Sequence, residues 1–291
     1  MSTIPNLKIL KNILFDEKEC INFLFENDIL YKLQSCLHCN SSLYRERRLY
    51  RCINRQCRKS VSIFKDSFFA KNRLTCSDVM LIGYLWLCKN SHTSIVKMTG
   101  HPSKTITSYM NFFRELIIDT LKDDNHMIGG EGIIVEIDES KFGKRKYHRG
   151  RIIDGVWVVG GIERTGEKRC FVKVVQDRTA GTLHDIISRH VEPGSIVHTD
   201  LWRGYIGIEE LNMNIIHRTV NHSEHFVDPN TGVHTNTIEG LWNGIKLQIS
   251  PRNRSKDTIN NRLFEFIWRK KNENNLWKSF LNALHTTGYF E

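Results

Sequence analysis

Four cysteines constrain the N-terminal part of the chain more than any other feature. They occur as Cys36-x2-Cys39 and Cys52-x4-Cys57, two close pairs separated by twelve residues. Each pair can bend the chain so that two thiolates face one ion, as a tetrahedral zinc site requires. Two disulfides or free thiols are the alternatives, and a reducing compartment disfavours disulfides. The spacing therefore predicts a zinc ribbon over residues 35–60, stabilised by its metal rather than by a core.

The net charge favours a polyanionic partner. The chain of 291 residues carries 42 Lys and Arg against 32 Asp and Glu, a formal charge of +10. Nucleic acid is the usual partner of such a protein, although the charge would also serve solubility alone. The sequence has neither a signal peptide nor an apolar run that would cross a bilayer, so we expect no membrane partner. The expected location is the nucleus if the host is eukaryotic, which we favour, and otherwise the cytoplasm or nucleoid.

Basic residues accompany the cysteines and a helical region that follows them. Arg45, Arg47 and Arg48 lie between the two cysteine pairs, where we expect them to contact DNA phosphates. The alternative is a purely structural ribbon with solvated arginines.

Helical patterns lie on both sides of the ribbon. Residues 1–34 form an N-terminal helical segment, with a helix predicted over about 17–27 and Asp16 as its N-cap. Residues 61–125 contain an apolar central helix, a short helix that ends at Gly100 and a longer one from about Ser103. This order is typical of a helix-turn-helix, and it makes Lys104 a predicted DNA contact. A helical hairpin that binds no DNA is the alternative.

The hydrophobic period changes to that of strands in the segment 130–291. Three strand-like runs are followed by a helix, a fourth strand that ends in "HTD", a fifth strand and further helices. This order predicts an α/β domain with a mixed sheet and flanking helices.

Three acids in this segment are candidates for a metal site. Asp138 ends the first strand, Asp200 ends the fourth, and Glu239 lies early on a late helix. If the first and fourth strands pair, the two aspartates lie side by side, and the helix delivers the glutamate. Carboxylates so close repel one another, and hard divalent cations relieve that cost. Two such ions would support phosphodiester chemistry. A lone strand-end aspartate is more often a turn or cap residue.

The chain resembles the DDE transposases of the Merlin superfamily and their bacterial insertion-sequence relatives. The likeness rests on the ribbon and helix-turn-helix followed by "VEIDESKFG", "HTDLWRGY" and "FVDPNTGVHTNTIEGLW". It implies an RNase H-like catalytic fold, with the DDE triad on Asp138, Asp200 and Glu239. It also implies Mg²⁺ or Mn²⁺ as the catalytic ion, terminal inverted repeats as substrate, strand transfer into target DNA and a homodimer or higher assembly on paired ends.

Further basic residues are predicted to contact DNA near these acids. Several transposases of this fold carry a lysine seven positions after the glutamate, which here is Lys246; an ordinary solvated lysine is the alternative. The run 141–151 contains Lys144 and Arg145 and is interpreted as a backbone contact, a hairpin with a solvated face or a nuclear-import signal.

A cut-and-paste transposase is the function that these features favour. A domesticated, catalytically silent DNA-binding protein is the alternative from another class. A sequence-independent nuclease of the same fold is a third possibility.

Overall fold

The computed structural model describes residues 4–122, 127–143, 155–224 and 226–286. The chain divides into two compact units. The N-terminal unit comprises Met1–Leu121 and Asn272–Glu291, and the sheet unit comprises Lys122–Lys271. The described residues 272–286 belong to the N-terminal unit in this division, whereas the sequence placed them in the segment 130–291.

The order of elements follows the sequence prediction: helices on both sides of a small sheet in the N-terminal part, then strands with intervening and closing helices. The helices are α1 (Leu7–Phe15), α2 (Glu17–Glu26), α3 (Cys76–Leu87), α4 (His92–Thr99), α5 (Ser103–Lys122), α6 (Ala180–His190), α7 (Asn236–Gln248), α8 (Lys256–Lys271) and α9 (Leu276–Thr286). The strands are β1 (Leu43–Glu46), β2 (Leu49–Cys52), β3 (Ser60–Ser62), β4 (Ile128–Gly129), β5 (Ile134–Phe142), β6 (Val156–Glu163), β7 (Cys170–Val175), β8 (Val191–Glu192), β9 (Ile196–Asp200) and β10 (Ile216–Val220).

Side-chain caps start the first two helices. The Asp16 side chain accepts a hydrogen bond from the Glu19 N–H (3.0 Å), so α2 begins as predicted. The preceding helix α1 was not predicted as a separate element. It is capped by Asn6, which accepts from the Ile9 N–H at 3.1 Å.

The core of the N-terminal unit forms around α3 and α5. Ten of the twelve residues of α3 are buried, which confirms it as a central helix. The apolar face of α5 is buried as its spacing predicts, and Phe113 on that face packs at 5.6 Å from Trp86 and 5.4 Å from Phe280 between ring centroids. The last of these residues belongs to α9, so the C-terminal helix completes this core.

The two helices expected of a helix-turn-helix are present. Helix α4 ends at Gly100, whose φ of 71° is the left-handed conformation that closes a helix without strain in glycine. Helix α5 begins after a short turn, and Lys104 is exposed in its first turn. DNA recognition by this pair remains a prediction.

The ribbon is a three-stranded antiparallel sheet in the order β1-β2-β3. A two-residue turn joins β1 to β2, and Arg47 occupies it with a φ of 53°. The two strands thus form a hairpin between the cysteine pairs.

The sheet unit is built on a five-stranded mixed sheet in the order β10-β9-β5-β6-β7. The meander β5-β6-β7 is antiparallel, whereas β9 is parallel to β5 and β10 is parallel to β9. The pairing of the first and fourth long strands, β5 and β9, confirms the expectation that positioned the two aspartates. This mixed α/β architecture is consistent with an RNase H-like domain. A further two-stranded sheet, β4 with β8, was not predicted.

Helices cover both faces of this sheet. On one face α7 and α8 pack through Trp242, Ile245 and Leu263 against strand residues such as Phe142 and Val158. On the other face α6 packs through Leu183 and Ile187 against Val135 and Ile137. Residues 136, 138, 140 and 142 of β5 therefore face α7, because side chains alternate along a strand.

Within the described ranges, none of the helices combines the length and the apolar composition that a membrane span requires.

Gly160 generates a testable prediction because it lies opposite Asp138 in the β5–β6 register. A Cβ there would meet the Trp242 ring at 2.7 Å. We expect Gly160→Ala to lower the free energy of unfolding by about 1–3 kcal/mol through overpacking.

The matched control is Gly240→Ala on α7, where an added Cβ has no heavy atom within 4 Å. This helical substitution should be neutral or stabilise by about 0.5–1 kcal/mol. Urea unfolding measures both variants, and equal stabilities for the two would contradict the packing described.

Candidate active site

Asp138 and Asp200 lie on neighbouring parallel strands at equivalent positions. The β5–β9 register pairs Ile134 with Ile196 and Glu136 with His198. Two residues further along each strand come Asp138 and Asp200, both half-buried and on the face covered by α7. The strands thus place the two carboxylates at one edge of the sheet.

Helix α7 brings the third acid to this edge. Glu239 lies in the first turn of α7 and is exposed. Trp242, about one turn later, is buried and donates its indole N–H to Asp138 Oδ2 at 2.9 Å. Trp242 therefore belongs to the core, and its hydrogen bond connects α7 to the strand of Asp138.

The three acids interact electrostatically. The pKa of Asp138 is raised to about 6, chiefly by burial and in smaller part by the charges of Asp200 and Glu239. The Trp242 hydrogen bond opposes the shift by stabilising the carboxylate. A cation at this edge would relieve the repulsion that the raised pKa reports.

A buried carboxylate fixes the start of α7. Glu136 is fully buried and accepts hydrogen bonds from the N–H groups of Thr237 (2.7 Å) and Ile238 (2.9 Å). Arg164 Nε donates to the same carboxylate, and its Nη2 donates to the His234 carbonyl at 2.6 Å. These contacts join β5, the end of β6 and the N-terminus of α7, where a negative charge is favourable.

This capping differs from the one that the sequence suggested. The letters "TNT" at residues 235–237 are residue types that favour a helix N-cap, and Thr235 is the N-cap of α7, yet its side chain makes no capping bond. The Thr235 hydroxyl instead bonds to His222 Nε2 at 2.7 Å. Thr235 thus occupies the N-cap position, while the side chain that accepts from the first N–H groups of α7 is that of Glu136, far away in the chain.

His198 belongs to the same buried network. Its Nδ1 lies 3.3 Å from Arg164 Nη2, and burial followed by the Arg164 charge lowers its pKa to about 4. The imidazole is therefore neutral at pH 7 and accepts the arginine N–H. Its Nε2 is buried without a hydrogen-bond partner among the described residues.

Glu139 is an acid at this edge that we did not predict. It lies beside Asp138 in the chain but on the opposite face of the sheet. Its pKa is raised to about 7, chiefly by burial and in smaller part by the charges of Asp138 and Asp200, while Tyr205 and Arg178 oppose the shift. The signal was available in the letters "IDES", where an acid on the apolar side of a strand is unexpected.

His222, His234 and Asp228 flank Glu239 in the chain. They do not form a metal group with one another among the described residues. Asp228 caps its own turn by accepting from the Asn230 and Thr231 N–H groups at 2.9 and 2.8 Å. His225 lies outside the described residues.

The donor atoms of the acids suit a hard cation, since carboxylate oxygens are the ligands that Mg²⁺ and Mn²⁺ prefer. Among the described residues, however, only the four cysteines place three or more ligand atoms within 4.8 Å of one another. Asp138, Asp200 and Glu239 therefore share an edge without forming a closed cage.

The cysteines form a compact tetrad. The Sγ atoms of Cys36 and Cys57 are 3.8 Å apart, and those of Cys39 and Cys52 are 3.4 Å apart. A tetrahedral ion with Zn–S bonds of about 2.3 Å requires sulfur separations of about 3.8 Å. The tetrad thus fits zinc.

The predicted DNA contacts occupy different environments. Arg48 forms an ion pair with Glu17 at 2.8 Å, and the Arg45 guanidinium lies 5.0 Å from the Phe25 ring centroid. Arg47 is exposed at the hairpin turn. Lys246 is exposed on α7 with its Nζ 5.8 Å from the Phe142 ring centroid, on the side of the sheet that carries Asp138. Lys144 and Arg145 lie outside the described residues.

Comparison with known proteins identifies the family. The model of the ISXO2-like transposase domain matches residues 124–270, about half of the chain, and this match contains all three acids. The chain belongs to the ISXO2-like transposase family. It is also similar to an uncharacterized transposase-like protein of Haemophilus influenzae, with 31% identity over 105 residues, 36% of this chain and 82% of the relative. The resemblance to bacterial insertion-sequence transposases is confirmed, and the family implies a metal-dependent, DNA-binding enzyme of the nuclease and transesterase class.

The raised pKa of Asp138 gives the transposase a predictable pH dependence. Its folded-state pKa of about 6 exceeds the ordinary 3.8, so the folded state binds the proton more tightly than the unfolded state. Without Mg²⁺ or Mn²⁺, the contribution of Asp138 to stability should fall as pH rises from about 4 to about 7. Asp138→Asn, whose amide oxygen still accepts from Trp242, should exceed wild type by about 2–3 kcal/mol at pH 8 and match it near pH 4.

Urea unfolding at both pH values measures this difference. Asp185→Asn is the control, because Asp185 is exposed and its ion pair with Arg189 contributes at most about 1 kcal/mol. If the difference in the free energy of unfolding between Asp138→Asn and wild type is the same at both pH values, the raised pKa of Asp138 is contradicted.

Proposed function

We propose that this transposase cleaves DNA at the ends of its element and joins the freed strand to target DNA, with Asp138, Asp200 and Glu239 as its catalytic residues. The observation that carries the proposal is the register of β5 and β9, which puts two aspartates side by side beneath the helix of Glu239. The family supplies the reaction class, and the position of the acids within the matched segment supports their role.

The three carboxylates would hold two Mg²⁺ or Mn²⁺ ions. When bound, such ions activate an oxygen nucleophile and stabilise the leaving oxygen in phosphodiester chemistry. Asp138 must be ionised to act as a ligand, and the Trp242 indole N–H favours that state while it orients Oδ2. Asp200 is oriented by the Trp202 N–H, which donates to its Oδ1 at 2.9 Å. Glu239 remains exposed, on the helix that Glu136 caps.

We also propose that the N-terminal unit binds the terminal inverted repeats. Arg47 at the ribbon turn and Lys104 at the start of α5 are exposed cations, which are available to contact backbone phosphates. Arg45 would join them, whereas the charge of Arg48 is already paired with Glu17. Lys246 is proposed as a phosphate contact near the catalytic edge. Assembly on paired DNA ends and the cellular location remain predictions.

The activity is tested with a duplex that carries the inverted repeats flanking the gene. Wild type should cleave it only with Mg²⁺ or Mn²⁺, and Asp200→Ala or Glu239→Gln should reduce cleavage to the level seen without these ions. Glu167→Gln, at an acid that is 81% exposed, is the control and should cleave normally.

Three contrary outcomes would change the proposal in different ways. Cleavage by Asp200→Ala at the wild-type rate would remove Asp200 from the mechanism. Equal cutting of unrelated DNA would favour a sequence-independent nuclease, and binding without cleavage by wild type would favour the silent DNA-binding protein.

The zinc site is proposed from the sulfur geometry and has its own test. We expect the purified chain to contain one zinc ion, and Cys52→Ser to lose it together with the folded ribbon. Metal analysis after dialysis measures this, and Cys88→Ser, outside the tetrad, should keep its zinc. Equal zinc in Cys52→Ser and wild type would exclude the tetrad as the site.

A further inference from the structure

Two tryptophans and an arginine meet at the edge of the sheet that carries the candidate catalytic acids. Trp157 is in β6 and pairs with Lys141 of β5, three residues beyond Asp138. Trp202 follows Asp200 by two residues, and Arg178 lies between β7 and α6. The start of β6, the connection from β7 to α6 and the segment after β9 thus meet at the end of the sheet where β5, β7 and β9 finish.

The arginine is held by both indole rings. Its Cζ lies 3.8 Å from the ring centroid of Trp202 and 4.3 Å from that of Trp157, well within cation–π distance. Trp202 is itself fixed, since its Nε1 donates to the Arg178 carbonyl at 3.3 Å and its backbone N–H donates to Asp200. The contacts restrict a side chain that is otherwise among the most flexible.

These contacts leave the hydrogen-bonding edges of the guanidinium available. An indole covers the planar face of the ion, whereas its N–H donors point outward in the plane. In the described part of the chain, no carboxylate lies within ion-pair distance of Arg178. A planar, oriented guanidinium with unused donors matches the oxygens of a phosphate.

Further positive charge surrounds the same two rings. Lys141 Nζ lies 5.3 Å from the Trp157 ring centroid, and Arg203 Cζ lies 5.7 Å from that of Trp202. Lys141 and Arg203 are exposed, whereas Arg178 is half-buried between their positions in the cluster. The three cations form a basic patch at the ends of these strands. Lys141 and Trp157 lie on the face of the sheet opposite Asp138, because side chains alternate along a strand, and Trp202 connects the patch to the acids through its hydrogen bond to Asp200. We name Arg178, Trp157 and Trp202 the Trp–Arg cluster.

We propose that Arg178, held by Trp157 and Trp202, binds a backbone phosphate of the DNA strand that crosses the catalytic edge. Because Trp202 contacts both Arg178 and Asp200, the bound phosphate would be close to the one that is cleaved, and the cluster would position the strand. This inference rests on the proposed function and assigns it a strand-binding residue.

The alternative is that Arg178 serves only as a counter-charge for the half-buried Glu139, whose pKa it lowers. A structural counter-charge would affect stability but would leave the pattern of DNA phosphate contacts unchanged. The two roles therefore separate in a phosphate-by-phosphate experiment.

The experiment compares the full chain on two forms of one duplex. The duplex carries the inverted repeats that flank the gene, and single phosphates of the cleaved strand are replaced by uncharged methylphosphonates. Affinities are measured by fluorescence anisotropy with Ca²⁺ in place of Mg²⁺. Wild type should lose about tenfold in affinity at the phosphate that Arg178 binds. In Arg178→Gln that loss should disappear, and the slope of log K against log salt should be smaller by about 0.9.

Two further variants complete the design. Arg178→Lys keeps the charge, so it should retain the salt slope and part of the loss at that phosphate. Arg189→Gln is the matched control, since Arg189 is 69% exposed on the last turn of α6, and it should keep the wild-type pattern. Each protein is compared with itself on two DNAs, so a reduced folded fraction cancels.

The inference would be overturned if each methylphosphonate reduced the affinity of wild type and of both Arg178 variants by the same factor. Wild-type cleavage with Mg²⁺ is recorded in parallel. If wild type cleaves while the penalties are unchanged, only the role of Arg178 fails; if wild type neither binds nor cleaves the duplex, the proposed function fails with it.

Discussion

The buried carboxylate of Glu136 is the interaction on which the geometry of the candidate site depends. It accepts hydrogen bonds from the first turn of α7 and from Arg164, so one group joins the central strand to the helix that carries Glu239. Breaking a buried pair by removing one partner typically costs about 3–5 kcal/mol. A helix joined so firmly cannot slide along the sheet, and the third acid is therefore held at the edge where β5 and β9 bring the other two.

Two carboxylates of β5, Glu136 and Asp138, lie two residues apart in very different electrostatic environments. Glu136 is fully compensated by its donors, whereas Asp138, two positions later on the same face, has a pKa raised by burial and by its acidic neighbours. The fold thus stabilises one carboxylate as a structural anchor and leaves the next in need of positive charge. A divalent cation bound by these acids, as proposed above, would supply that charge.

Local patterns predicted the elements but not the contacts between distant ones. Strand alternation put Asp138 on a defined face, and the spacing of the cysteines predicted a tetrad that the sulfur distances fit. The role of Glu136 was missed because its partners at Thr237 and Ile238 lie more than 100 residues away. The Trp–Arg cluster was also not predicted, because its three residues come from separate strand ends that only the tertiary fold brings together.

Anomalous diffraction from crystals grown with Mn²⁺ tests the central claim most directly. The account predicts an anomalous peak bounded by the carboxylates of Asp138, Asp200 and Glu239, and its loss in crystals of Asp200→Ala. Crystals saturated with Mn²⁺ that show no peak at this edge, or a peak held by other side chains, would contradict it.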